Sequence, residues 1–302
     1  MRILSGTLHN LIGINMNADD FILDSEPLIR LACFFGILIL IALWELATPR
    51  RKLTVSRFMR WSGNLGIVVL NTIVLRLLFP AAAVGMALFA DEQAWGLFNY
   101  IEAPWWLAVI ASVTLLDFTV YLQHVMVHAV PLFWRLHRVH HADPDFDVTT
   151  GTRFHPLEII LSMLIKFAAI ILLGAPMVAV VIFEVLLNAT AMFNHGNIGL
   201  PLKLDRILRW ILVTPDMHRV HHSVEDDETN SNFGFNLPWW DRLFGTYRAQ
   251  PRNGHEGMTI GIRKYRDPKQ VNRLDGMLML PFKGRISDYA INRRQWSDED
   301  AD

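Results

Sequence analysis

Residues Leu28 to Ala47 read LIRLACFFGILILIALWELA, a run broken only by Arg30 and Glu45. A helix of that length is about 30 Å long at 1.5 Å per residue, the thickness of a bilayer core. The run therefore predicts a membrane span. A basic block, Arg50, Arg51, Lys52, Arg57 and Arg60, follows it. A second apolar run extends from Leu65 to Ala90, interrupted by Arg76 and Pro80 and closed by Asp91 and Glu92. A third, from Trp105 to about Gln123, opens on the pair Trp105–Trp106, which suits a headgroup-level anchor. The fourth, Leu157 to Phe193, is broken at Gly174-Ala175-Pro176 and reads as a helical hairpin of two short spans or a re-entrant pair. The expected fold is an all-α integral membrane protein with four to five transmembrane or re-entrant helices and a helical cap. Positive charge is retained on the cytoplasmic side of a membrane. The basic block therefore predicts an outer N-terminus and a cytoplasmic cap, in a plasma or inner membrane if the source is bacterial.

Composition agrees. Of 302 residues 52% are hydrophobic and 19% charged, against about 25% charged in a soluble domain. The net charge of −1 gives no field that would attract nucleic acid. Cys33 is the single cysteine, so neither an internal disulfide nor a thiolate metal cluster can form. Residues 1–24 lack the pattern of a cleaved signal peptide. Three regions are expected: two spans in 1–104, a histidine-rich region in 105–250, and a polar, partly ordered tail in 251–302.

Twelve histidines are present, and all but His9 and His255 fall between His124 and His222. His124 and His128 stand at i and i+4. His137, His140 and His141 stand at i, i+3 and i+4, and the segment His218-Arg-Val-His-His222 repeats that pattern letter for letter. Such spacings put the rings on one side of a helix. Neutral imidazole suits Fe, Zn, Cu or Ni. Eight rings exceed the needs of one tetrahedral site, so two metals account for them better. His195, at the end of the hairpin, is a ninth candidate. Asn188 and Glu184 share its helical face, Asn188 as a weak ligand or an interhelical hydrogen-bond donor. Asp117, seven residues before His124, is read as a partner for a ligand ring, a substrate contact or a carboxylate paired elsewhere. His155, ahead of Pro156, is given a supporting role, and His9 and His255 are read as surface residues. Arg138 and Arg219 are read as paired with carboxylate or lipid phosphate, or as solvated.

The order of blocks then becomes specific. His124-x-x-x-His128 is followed by Phe133-Trp-Arg-Leu-His-Arg-Val-His-His141 and Thr150-Gly-Thr-Arg-Phe-His-Pro-Leu-Glu158. Next come Phe193-Asn-His-Gly-Asn197, Thr214-Pro-Asp-Met-His-Arg-Val-His-His222 and Trp240-Asp-Arg-Leu-Phe-Gly-Thr-Tyr247. From about residue 105 to 248 the chain resembles the fatty acid hydroxylase/sterol desaturase superfamily. The resemblance implies a non-haem di-iron enzyme that uses O2 to hydroxylate or desaturate lipid C–H bonds. Carried onto this chain, the ligands are His124, His128, His137, His140, His141, His195, His218, His221 and His222. Some members place an extra histidine before the hairpin end, where this chain has Asn188 and Ala191. No cysteine-rich, haem-attachment or dinucleotide motif is present, so electrons are expected from a separate reductase, ferredoxin or cytochrome. The rival readings are a metal transporter, which wants ionisable residues strung through its spans, and a zinc hydrolase, which wants a general base that no HExxH motif supplies here.

Overall fold

The computed structural model describes residues 18–284. Its described helices, in chain order, begin with α1 (Ala18–Ala47), α2 (Arg57–Leu78), α3 (Ala82–Glu92), α4 (Leu97–Tyr100) and α5 (Trp105–Ala129). There follow α6 (Pro131–His141), α7 (Pro156–Leu173), α8 (Met177–Asn194), α9 (Leu202–Leu208) and α10 (Pro215–His221). The last are α11 (Asp226–Thr229), α12 (Trp239–Phe244), α13 (Gly254–Gly257), α14 (Pro268–Asn272) and α15 (Leu274–Met279). The described residues form no sheet, only isolated bridges such as Pro49 with Ile198. Five segments are long and apolar enough to cross a bilayer: Ser25–Ala47, Arg57–Tyr100, Trp105–Ala129, Pro156–Leu173 and Met177–Asn194. Their outward side chains, among them Leu31, Leu40, Leu77, Ile110 and Leu172, are exposed, as lipid-facing residues must be.

Local sequence sets the element ends. Pro131, Pro156 and Pro215 each stand at the first turn of a helix, where a missing N–H costs nothing. The Thr214 hydroxyl caps α10 by accepting from Met217 N at 3.3 Å. The break expected at 174–176 is a left-handed C-cap at Gly174 (φ 62°), and α8 starts directly after Pro176. The second span begins at Arg57, earlier than its apolar run. In its first turn Arg60 is buried, its charge met by aspartates (below) rather than by water.

The bundle has two ends. At one end Gly96 packs so closely on the α7–α8 turn that a Cβ there would lie 2.0 Å from Gly174 N. Phe79, Phe167, Val84, Ile170, Leu116 and Phe183 fill the space next to it. At the other end the basic block meets the cap. The Arg50 guanidinium reaches Asp216 at 3.3 Å, and Arg51 donates to the carbonyls of His255 and Met258. The Glu45 carboxylate accepts from Val148 N and Asn197 N, both at 2.7 Å, so the end of α1 is tied to the loops that flank the histidines.

Two sequence expectations are corrected here. The region after 250, read as a polar, partly ordered tail, contributes apolar residues to the core over its described part. Tyr265, Val271, Met277 and Leu280 close a core with Ile67, Val139 and Ala142, because their apolar side chains cover α2 and α6. His255 is not a surface residue. It is 5% exposed, beside Asp216 at 3.6 Å and under the basic block. Burial pushes its imidazole down to about 4. His9 and residues 285–302 lie outside the described residues.

Candidate metal centre

Four elements bring nine imidazoles together. α5 supplies His124 and His128, and α6 supplies His137, His140 and His141. The turn after α8 supplies His195, and α10 with its C-cap supplies His218, His221 and His222. All nine are at most 4% exposed. They fall into two groups, His124/His128/His137/His141/His221 and His140/His195/His218/His222. Within each group one nitrogen per ring lies within 4.8 Å of the others. The groups adjoin, with the rings of His141 and His222 stacked at 4.5 Å.

The repeated motif is allocated crosswise. In α6 the i and i+4 residues, His137 and His141, belong to the first group and the i+3 residue, His140, to the second. In α10 the order is reversed: His218 and His222 belong to the second group and His221 to the first. On one face of a helix i+4 lies about 40° to one side of i and i+3 about 60° to the other, so the i+3 ring diverges from the i and i+4 pair. Two copies of one motif thus serve both groups.

The outer nitrogens orient the rings. His124 Nδ1 donates to Phe233 O at 2.8 Å, His221 Nδ1 to Ser231 O at 2.7 Å and His195 Nδ1 to Ala191 O at 2.7 Å. His137 Nδ1 meets Glu158 Oε1 at 2.6 Å. With Nδ1 committed as donor, Nε2 carries the lone pair. The Nε2 atoms of His124 and His137 then face each other at 3.2 Å with no proton between them. Two lone pairs at that distance repel unless a cation lies between. The spacing matches two ligand nitrogens at about 2.1 Å from a common metal and at about a right angle. Buried nitrogens without a protein partner remain on His128, His140, His141, His218, His221 and His222. Burial pushes His195 and His221 down to about 3 and the rings of His140, His141, His218 and His222 well below their ordinary value. All are therefore neutral near pH 7, the form that ligates. The donor set fits a pair of nitrogen-bound transition metals.

Carboxylates stand one step behind the rings. Glu158 holds His137 directly, which the sequence reading missed; its signal was the position three residues after His155 in the Thr150–Glu158 block. Asp117 touches no histidine. It accepts from Asn236 N (3.2 Å), Leu237 N (3.3 Å) and Trp240 Nε1 (2.8 Å), because α5 turns it toward the 236–240 segment. Asp241, pushed up to about 6 by burial, accepts from Phe233 N and Gly234 N at 2.8 Å. Together the two aspartates fix the segment whose Phe233 carbonyl receives His124. On the opposite flank Arg60 forms a bidentate pair with Asp143 (2.8 and 2.8 Å) and also reaches Asp147. Arg153 donates to Val139 O at 3.0 Å, between His137 and His140 on α6. Burial opposes the charge on Asp143, but Arg60 and Arg153 hold its carboxyl below the usual range.

The remaining candidates lie apart from the rings. His155 caps α7, accepting from Leu157 N at 3.2 Å, with its other nitrogen 3.3 Å from Leu278 O. The Asn188 amide donates to Glu184 O at 2.8 Å in its own helix. Glu184 is two helical turns and more from the rings, paired with Lys166 (2.7 Å) and Arg30 (2.8 Å). Neither arginine of the repeated motif is solvated. Arg219 is buried against Asp216 and lies 5.2 Å from the Phe146 ring centre, and Arg138 donates to Leu280 O and Lys283 O.

A cavity of about 250 Å³ leads away from the centre between α1, α2, α5, α7 and α8. His124, His137 and Glu158 line its inner end. Phe34, Leu75, Val120, Val127, Met163 and Leu187 make its walls apolar, and Arg30, Lys166 and Glu184 also line it. Glycine is required at its inner edge: a Cβ on Gly151 would lie 2.4 Å from Ala191 O and 3.0 Å from His195 Nδ1.

Comparison with known proteins gives a consistent set. The fatty acid hydroxylase family matches residues 108–246. An alkylglycerol monooxygenase of Xenopus tropicalis is 30% identical over 227 residues, 70% of this chain and 48% of that protein. The ornithine lipid hydroxylase OlsE of Rhizobium tropici is 31% identical over 147 residues, 48% of this chain and 43% of that protein. A cholesterol 25-hydroxylase-like protein of Danio rerio is 28% identical over 205 residues, 65% of this chain and 76% of that protein. The chain thus spans about half the length of the first two relatives. No solved structure matches it.

Proposed function

Because this chain belongs to the fatty acid hydroxylase/sterol desaturase superfamily, we propose that it is a membrane-bound di-iron oxygenase that hydroxylates or desaturates a C–H bond of a lipid. The observation that carries this reading is the junction of two buried imidazole groups with an apolar cavity between the spans. His124, His128, His137, His141 and His221 would hold one iron, and His140, His195, His218 and His222 the other. When bound, the metals supply the O2-dependent oxidising power that side chains lack.

The chain's own residues do the rest. Val127, Met163 and Leu187 exclude water from the inner cavity and give an alkyl chain a surface to lie on. Position decides which carbon is oxidised, since the reacting atoms must meet within a narrow range of distance and angle. Glu158 holds the His137 Nδ1 proton and so keeps Nε2 turned inward. The contact of the basic block with the cap supports a cytoplasmic centre, where a separate reductase, ferredoxin or cytochrome would deliver electrons. A transporter would string its ligands through the spans, whereas these nine gather at one end of the bundle.

Metal analysis of the purified protein in detergent tests the reading, together with O2 uptake on adding reductant and lipid comparison of cells with and without the gene. Two irons per chain, matching the two groups, and a lipid gaining one oxygen or losing two hydrogens are expected. Zinc at stoichiometry with no O2 uptake would overturn it. His140→Ala and His221→Ala should each abolish the lipid change while the protein still inserts.

A further inference from the structure

Three ionisable side chains that the metal centre does not use line the same cavity. Glu184 of α8, with a side chain 3% exposed, places one oxygen 2.7 Å from Lys166 Nζ of α7 and the other 2.8 Å from Arg30 Nη1 of α1. Arg30 also meets Glu26 at 2.6 Å, one turn back on its own helix. All three lie within spans. Charged groups at such depth are costly to bury, and a well-packed apolar trio would hold three helices together as well. Their cost therefore points to a ligand. Glu184 commits both of its oxygens, one to each cation. The ammonium and guanidinium have donors to spare, three and five in all, and both side chains line the cavity. Lys166 stands eight residues beyond Glu158 on α7 (158 to 166), about 12 Å along the helix.

We propose that Arg30 and Lys166, clamped by Glu184, form a subsite for the anionic head of an amphiphilic substrate, whose apolar chain runs along the cavity to the histidines. This rests on the oxygenase reading for the identity of the ligand as substrate, but not for its binding. The subsite selects acyl or alkyl lipids bearing a phosphate or carboxylate over neutral hydrocarbons. It also sets a ruler, since the head fixed at one end determines which carbon lies beside His124 and His137.

The test is equilibrium binding to the purified full-length protein in a neutral maltoside detergent, without reductant so that no turnover occurs. The probes are radiolabelled hexadecyl phosphate, palmitate and methyl palmitate. The two anions should bind at least about tenfold tighter than the ester, the scale of one charge-assisted contact. Lys166→Met should remove that preference and leave methyl palmitate unchanged, which also shows that the variant is folded. Lys166→Arg should retain it. Equal affinity of wild type for all three probes would overturn the subsite. So would displacement of hexadecyl phosphate by millimolar inorganic phosphate alone, which would assign the cluster to a free anion. Discrimination between probes in a protein that takes up no O2 would overturn the oxygenase reading and leave the subsite standing.

Discussion

At the residue scale, the centre depends on how each ring is held from behind. Among the described residues Glu158 is the carboxylate that directly meets a ring of the nine, His137 at 2.6 Å. Losing such a partner costs about 10–100-fold in metal affinity. Glu158→Ala should therefore lose bound metal to a chelator far faster than wild type, and should do so from the group containing His137; metal retained after timed dialysis reads this out. Equal retention would detach Glu158 from the centre. The sequence exposed the nine rings because their spacing is local, at i, i+3 and i+4. It did not expose Glu158 or the target of Asp117. Those contacts join segments far apart in the chain, His137 to α7 and Asp117 to the 236–240 turn, and no periodicity encodes them.

At the scale of elements, close approaches decide what can be substituted. Gly151 lets the end of α8 pass against the loop before α7, where a Cβ would sit 2.4 Å from Ala191 O. Gly151→Ala should push that end outward and move His195, at an overpacking cost of about 1–3 kcal/mol. A lower melting temperature with preferential metal loss from the His195 group is expected, and an unchanged protein would show that the loop yields freely. The Arg60–Asp143 pair is fully buried. Breaking such a pair from one side costs about 3–5 kcal/mol, so Asp143→Ala should fail to accumulate in membranes, as judged by immunoblot against wild type. The spans themselves were legible in advance from apolar length and from the Gly174 break. The burial of 251–284 was not, because a short segment with apolar residues at Tyr265, Val271, Met277 and Leu280 reads as polar until α2 and α6 are there to receive them.

For the whole molecule, buried rings held well below their ordinary value make stability depend on pH. His195 and His221 titrate near 3 in the folded protein, against an ordinary value of 6.5. Between these values the unfolded chain binds more protons than the folded one, so stability rises with pH there and is lost as pH falls below 6.5. His255, near 4, acts in the same direction. Chelated protein should therefore melt at progressively lower temperature as the buffer is taken from about pH 7 to pH 5. A flat profile in differential scanning fluorimetry would contradict the burial of these rings.

The crosswise sharing of α6 and α10 has one more consequence. Neither helix belongs to a single imidazole group, so an ion captured by one group would draft both helices and leave the second nest already assembled. Loading should be all-or-none: titration with ferrous ion would give a steep curve with few half-filled molecules. By the same interlock, damage to α6 or α10 would empty both nests together, whereas α5 and the turn after α8 each serve one nest alone.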